Sequence, residues 1–531
     1  MRHVWPPLIL LVLLFGTVVV HAQDAPDYTI RFDAQSQNLS VRLCLARAHT
    51  RVVFDADSSW AMRFVHDLRR DGGQTVGTSE DDWTAANWRA GECLAYRADL
   101  GAIAATHRRD VGWRLGDDLV TAPQLWLLRP DVQGDADARV RVFLPPGWII
   151  SVPWRQATSP PRAAVGNVAR SAKSPVEQPV PSPAAAKINP HPSAHAPAQD
   201  TSRLFVIANT PSDWSATVAF GHFNEERIEL PGGTLRLSIL YGADAGQQKK
   251  LRTWLRQVSR AILTAYGSLP VADVQVLMIP ASTHSRAVIF GQHTRGEGNA
   301  LHLLINPTRP LNEFMRDWIA VHELSHLMHP YLGDSGSWLA EGLATYFQNV
   351  LRARAGLISA QQAWEELADG FTRGQRMTGT DTLVGAARNM HQSHAYARIY
   401  WAGAAYWLTV DSDLRRNSGG KLDIDIALSR LRNCCLHDYR RWKPEDFVAR
   451  LDTLLGVHTF SARYRQFSAM RKFPDWQNLF KNLGIRDADG HVTYDNAARG
   501  AKVRDAIMAA PHAAMDTRKM RRQLRRRDGG T

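Results

Sequence analysis

Cysteine is scarce in this chain: four in 531 residues, at Cys44, Cys93 and the adjacent pair Cys434 and Cys435. Their spacing is not that of a zinc knuckle, so a cysteine-built metal site is excluded. In an oxidising compartment Cys44 and Cys93 are a disulfide candidate within one N-terminal domain, although four cysteines allow three pairings. Cys434 and Cys435 read as helix-face residues without a function. Long apolar runs are lacking too. The stretch from Leu8 to Val20 has thirteen residues, short of the roughly 20 that span a bilayer. With Arg2 and His3 before it and Val20 and Ala22 at a cut site, residues 1–22 read as a cleaved secretory signal; an uncleaved anchor is the alternative. Export implies a soluble periplasmic or extracellular protein. Charge of one sign is in excess, at +13, but unevenly: "RKMRRQLRRR" (Arg518 to Arg527) carries seven basic residues. A tail at 511–531 contacting anionic surfaces is one reading and a solvated tail the other. No specific nucleic-acid binding is expected.

What is present has the composition of a globular protein, 44% hydrophobic and 22% charged, long enough for two or three domains. Apolar residues alternate in "YTIRF", "LSVRLCL" and "RVRVFLPPGW", the period of antiparallel strands. Residues 158–202 break the pattern with nine prolines, much alanine and almost no aromatic residue; such a segment buries too little to offset its ordering entropy. Strand-like text resumes at "RLFVIA" and "TLRLSIL". The segment therefore reads as an insertion inside one β-rich domain, 23–240, with a linker between two domains as the alternative. From Leu251 the period becomes helical up to Gly267, and strands follow at 273–279 and 300–306. A helix is expected after Pro310, with Asn312 as a cap, ending at Pro330. A second, capped by Ser335 or Ser337, closes at Gly356. Residues 361–510 read as a mostly helical C-terminal domain.

The chemistry sits in "DWIAVHELSHLMHPYLG" (317–333). On a helix His322 and His326, four apart, share a face and can converge on one cation, while Glu323 beside them can hydrogen-bond a water without being a ligand. Zinc needs a third protein ligand. A histidine six residues after His326 would supply it, but that position is Leu332. The next helix carries Glu341 in "WLAEGLATYF", an acid on an otherwise apolar face, expensive there unless paired or metal-bound. His329 reads as a rim or supporting residue, Thr345 as a hydroxyl able to orient His322 or simply pack, and His302 as outward-facing on its strand.

"VHELSHLMHPYL", "WLAEGLATYFQNVLRARAGLIS" and "YWAGAAYWLTVDSDLRRNSGGKLDIDIALSRL" resemble the glycyl aminopeptidase family of gluzincins, related to the aminopeptidase N family, over roughly 203 to 456. The resemblance implies His322, His326 and Glu341 as ligands of one Zn2+, Glu323 as general base, and Tyr400 as a donor to the oxyanion. It implies a multidomain α+β fold: a β-rich N-terminal domain, a thermolysin-like zincin catalytic domain at 241–360, and the helical domain. Two positions depart from the family. Ala402 stands where relatives carry lysine, and "RGEGN" where aminopeptidase N relatives carry Gly-Ala-Met-Glu-Asn, whose glutamate binds the substrate's free amine. Counting back from His322 places Gly298 at that glutamate, Glu297 one residue off and Asn299 in register, so Glu297 and Asn299 are the substrate-binding candidates. The strand from Ala300 is expected to offer an edge for an extended peptide. The expected function is an exported zinc metallopeptidase, aminopeptidase-like or endopeptidase, acting on peptides or proteins through a Glu-activated, zinc-bound water. A zinc-containing, non-catalytic envelope scaffold is the alternative.

Overall fold

The computed structural model describes residues 24–509 apart from 56–59, 80–81, 109–110, 135, 158–200, 378, 437–438 and 489. The expected signal segment, nearly all of the Pro/Ala-rich insertion and the basic tail lie outside the described residues. Among those described, no helix is long and apolar enough to cross a membrane.

In the N-terminal part the alternation becomes two-faced strands. Tyr28, Ile30 and Phe32 of Asp27–Asp33, and Leu39, Val41 and Leu43 of Asn38–Cys44, all point inward. These strands pair antiparallel, but Asp27–Asp33 pairs with Ala138–Leu144 in parallel. The antiparallel expectation is corrected there, because period two reports which face is buried and carries no strand direction. Cys44 stands opposite Cys93 in register and is joined to it by a disulfide. Strands Arg155–Gln156 and Thr201–Ile207, on either side of the insertion, pair with each other in this same sheet.

The following sheet has five strands in the order Glu225–Leu230, Gly233–Ile239, Asp273–Pro280, Ala300–Ile305, Val288–Thr294. The three central strands are parallel and both outer ones antiparallel. Ala300–Ile305 is thus interior, and the free edge belongs to Val288–Thr294, which corrects the expected position of the peptide edge. The crossover helix Ala245–Tyr266 starts with a capping box between Asp244 and Gln247 and ends on Gly267 at φ 82°. It packs Leu251, Trp254, Leu255, Val258 and Ile262 on the sheet. On the opposite face Leu277 meets Val120, Ala219 and Phe223 of the N-terminal part.

The expected helix from Pro310 to Pro330 is broken. Leu311–Arg316 begins on Pro310 rather than Asn312, and Asp317 then turns extended at φ −67°, ψ 142°. The Asp317 carboxylate accepts the N–H of Ile319 at 2.7 Å and so starts a new helix, Ile319–Ser325, the motif helix. A tight turn at His326–Met328 follows, and His329 is extended, as a residue before proline prefers. The glutamate helix, Ser337–Arg354, has Gly336 at its cap; neither Ser335 nor Ser337 caps it through a side chain. It packs on the tyrosine helix, Tyr396–Asn417. Gly342 and Gly403 meet at that crossing, where a Cβ on either would run into the other helix's backbone. Replacing their hydrogens would therefore separate the helices bearing Glu341 and Tyr400. Cys434 and Cys435, expected on a helix face, instead lie at the end of Ile424–Cys434 joined in a disulfide. One apolar core runs from Ile228 to Met508, through the sheet and the C-terminal helices, while the N-terminal strands enclose a second.

Two outcomes follow from this packing. Gly403→Ala should lower the unfolding free energy by about 1–3 kcal/mol, the usual cost of overpacking, in a urea titration. Burial pushes the Asp317 carboxyl up from 3.8 to about 6. Because the folded value is raised, its contribution to stability is complete below about pH 4, declines as pH rises and is gone above about pH 6. Asp317→Asn keeps the capping oxygen but does not titrate, so the variant's stability relative to the parent should climb between those values and then level off.

Candidate active site

His322 and His326 leave the motif helix toward the glutamate helix. Their Nε2 atoms lie 3.2 and 3.6 Å from Glu341 Oε2, and one donor atom from each of the three residues falls within 4.8 Å of the others. Both imidazoles are buried. Although burial opposes it, His326 and His322 hold the Glu341 carboxyl well below the usual carboxylate range.

Each imidazole is oriented through its other nitrogen. Gln348 Oε1 accepts from His322 Nδ1 at 2.9 Å, so the ring presents its Nε2 to Glu341. Thr345, expected as a possible orienting hydroxyl, has no partner for its Oγ1 among the described residues; Gln348, seven residues after Glu341 and on the same helix face, has the reach. Sequence reasoning missed Gln348, and that spacing is the signal that points to it. His326 Nδ1 lies 3.0 Å from His329 Nε2, and His329 Nδ1 lies 2.7 Å from the Pro330 carbonyl. The carbonyl only accepts, so His329 Nδ1 carries a hydrogen. Burial, with Arg295 and His326 nearby, keeps His329 neutral, well below the ordinary histidine value. Its Nε2 therefore accepts from His326 Nδ1, and His326 also presents its Nε2 to the cluster. Two imidazole Nε2 atoms, each ring held from behind, and one carboxylate form a donor set that fits zinc.

Glu323 stands beside this cluster and accepts the backbone N–H of His293 on the edge strand at 2.9 Å. Burial pushes its carboxyl above the usual value, and the nearby histidines oppose the rise. Tyr400 reaches in from the tyrosine helix, its ring stacked on His322 with centroids 6.0 Å apart. Burial, then Glu341 and Glu323, raise its phenol, which stays a donor. The structure thus brings His322, His326, Glu341, Glu323 and Tyr400 together.

Glu297 and Asn299 are placed differently. Glu297 is 1% exposed, and its carboxylate is taken by Arg129 Nη2 at 2.9 Å and Trp154 Nε1 at 2.6 Å, both from the N-terminal part. Glu297, expected to hold a substrate amine, has both oxygens engaged in joining the two parts of the fold. Gly298, in register with the family's glutamate, has φ 152° and abuts the Pro153 carbonyl, so no side chain fits there. Asn299 donates to the Tyr439 hydroxyl at 3.1 Å and lines an adjoining cavity. His302, expected outward, is 7% exposed, with its imidazole pushed down to about 4 by burial. Its sheet face is covered by the N-terminal strands, which a strand's own periodicity does not reveal.

Residues 320–404 match the family described as M61 glycyl aminopeptidase, a segment that contains the three ligand candidates, Glu323 and Tyr400. No curated protein matches the chain. Among solved structures, an aminopeptidase N family protein from Idiomarina loihiensis is similar with a TM-score of 0.62 at 13% identity, over 87% of this chain and 78% of that one. The M1 zinc metallopeptidase of Deinococcus radiodurans is similar with a TM-score of 0.50 at 14% identity, over 85% and 94%. A mutant of that protein bound to a Tyr-Ser-Ala substrate is similar with a TM-score of 0.50 at 13% identity, over 85% and 95%. At these identities the likeness is one of fold. The family match and the donor set make the chain a zinc metallopeptidase. Residues 320–404 are similar to the glycyl aminopeptidase family, on a fold similar to that of the aminopeptidase N family protein.

Cutting the support behind His326 should loosen the metal without removing a ligand. His329→Leu is expected to weaken zinc binding by about 10- to 100-fold, measured by competition with a chromophoric chelator; an unchanged affinity would rule the support out.

Proposed function

We propose that this is an exported zinc peptidase, periplasmic or extracellular, in which Glu323 is the general base and no free substrate amine is required. The observation that carries the reading is the carboxylate of Glu323 standing against a cluster of two histidines and Glu341, with the Tyr400 ring stacked on His322. When bound by His322, His326 and Glu341, zinc supplies a Lewis acid that polarises the scissile carbonyl and acidifies water. An extended peptide lies along the free edge of Val288–Thr294, which a strand can extend through main-chain hydrogen bonds. The Glu323 carboxylate takes a proton from the attacking water and delivers it to the leaving amine. The Tyr400 hydroxyl donates to the oxygen on which negative charge develops. The peptide bound to a relative of the same fold supports a peptide substrate. The engaged carboxylate of Glu297 and the barred side chain at Gly298 support independence from a free amine. Export rests on the N-terminal sequence.

Glu323→Gln should keep zinc and lose about 10^2- to 10^4-fold in kcat, the usual share of a general base, and Tyr400→Phe about 10^2- to 10^3-fold. A chelator should abolish turnover and zinc restore it. An N-acetylated peptide and its free counterpart should be cleaved at comparable rates; cleavage confined to free termini would overturn the amine-independent reading, and wild-type rates in Glu323→Gln would overturn the mechanism.

A further inference from the structure

Beside the metal centre, at the far end of the motif helix, lies a cavity of about 220 Å³ bounded by the N-terminal strands and the loop at 295–299. Three carboxylates line it, and each has its own arginine: Glu297 with Arg129 at 2.9 Å, Asp273 with Arg236 at 2.7 Å, Asp137 with Arg155 at 3.9 Å. Arg295 is the cation left over. Its Nη2 donates to the carbonyls of His326 and His329, at 2.6 and 3.0 Å, and among the described residues no carboxylate pairs with it and nothing engages its Nη1 or Nε. A guanidinium remains charged at neutral pH.

Two other polar groups at this wall are donors. Trp214 Nε1 is buried without a partner among the described residues. The Tyr439 hydroxyl accepts from Asn299, which leaves its own hydrogen to give. A guanidinium, an indole N–H and a phenol O–H with no free acceptor among them call for an anionic acceptor, and charge-assisted hydrogen bonds make a carboxylate the best fit. The volume is below the roughly 300–1,000 Å³ of pockets for drug-sized ligands and suits one side chain or a chain end.

Position ties the cavity to the reaction. Arg295 follows His293 by two residues along the chain, and the His293 N–H is bonded to Glu323. A peptide extended on this edge with its scissile bond at Glu323 reaches the cavity about two residues away, at roughly 3.3 Å per residue. We propose that the cavity is a substrate subsite in which Arg295, with Trp214 and Tyr439, binds a peptide carboxylate and selects acidic over neutral substrates. This rests on the peptidase reading above.

The test uses zinc-loaded Glu323→Gln protein and hexapeptides in which one Glu is moved through the sequence, each against its Gln counterpart and each with a free or amidated C-terminus. Calorimetry should show one Glu position, or the free C-terminus, binding about tenfold or more tightly than its neutral counterpart, as hydrogen bonds to a charge allow; which arm responds identifies the carboxylate. Arg295→Gln should bring the ratio to about one, whatever it does to binding common to both peptides. Tyr439→Phe, which leaves Arg295 on the motif helix, should narrow it by about two- to tenfold. Equal binding throughout, no binding of any peptide, or a preference that survives both substitutions overturns the subsite. If the native enzyme then hydrolyses the Glu and Gln peptides alike, the peptidase reading stands without it.

Discussion

A carbonyl oxygen accepts hydrogen bonds and cannot donate them, and at Pro330 this sets the proton order of the whole metal centre. It places a hydrogen on His329 Nδ1, which makes His329 Nε2 an acceptor for His326 Nδ1 and turns His326 Nε2 toward Glu341. The amide oxygen of Gln348 does the same for His322. Neither support is a carboxylate, so Glu341 is the one negative charge among the ligand candidates and their immediate supports. A histidine backed by a neutral group donates less charge than one backed by an acid, which leaves a bound cation more electrophilic.

The second constraint is the seam between the N-terminal strands and the catalytic sheet. Glu297 sits in a left-handed backbone conformation at φ 60°, buried, with its carboxylate held by Arg129 and Trp154. Arg236 crosses the same seam, donating to the carbonyls of Val152 and Trp154 while paired with Asp273. Breaking a buried pair costs about 3–5 kcal/mol because it strands a charge. The loop at 295–299 is thus part of the structural joint.

Local periodicity made much of this legible. The spacing of His322, His326 and Glu341 on two helices named the cluster, and the alternating strands and the long helix ending at Gly267 stand where their patterns place them. What sequence hid depends on partners distant in the chain or on a geometric choice that composition does not make. Asp317 restarts the motif helix because its carboxylate folds back on Ile319, and the apolar pattern runs through that break without a mark. His302 looks outward on its own strand but meets a second sheet. Glu297 looks free until Arg129, 168 residues earlier, is brought against it.

The continuous core from Ile228 to Met508 also sets how the cleft can move. Glu341 and Tyr400 stand on helices that share this core and touch backbone to backbone at Gly342 and Gly403. Withdrawing one from the other exposes core residues, so their separation belongs with global unfolding rather than with low-energy local openings. The two walls of the metal site form one cooperative unit. The N-terminal strands hold a core of their own and one wall of the Arg295 cavity, so that cavity is shaped by two cores at once.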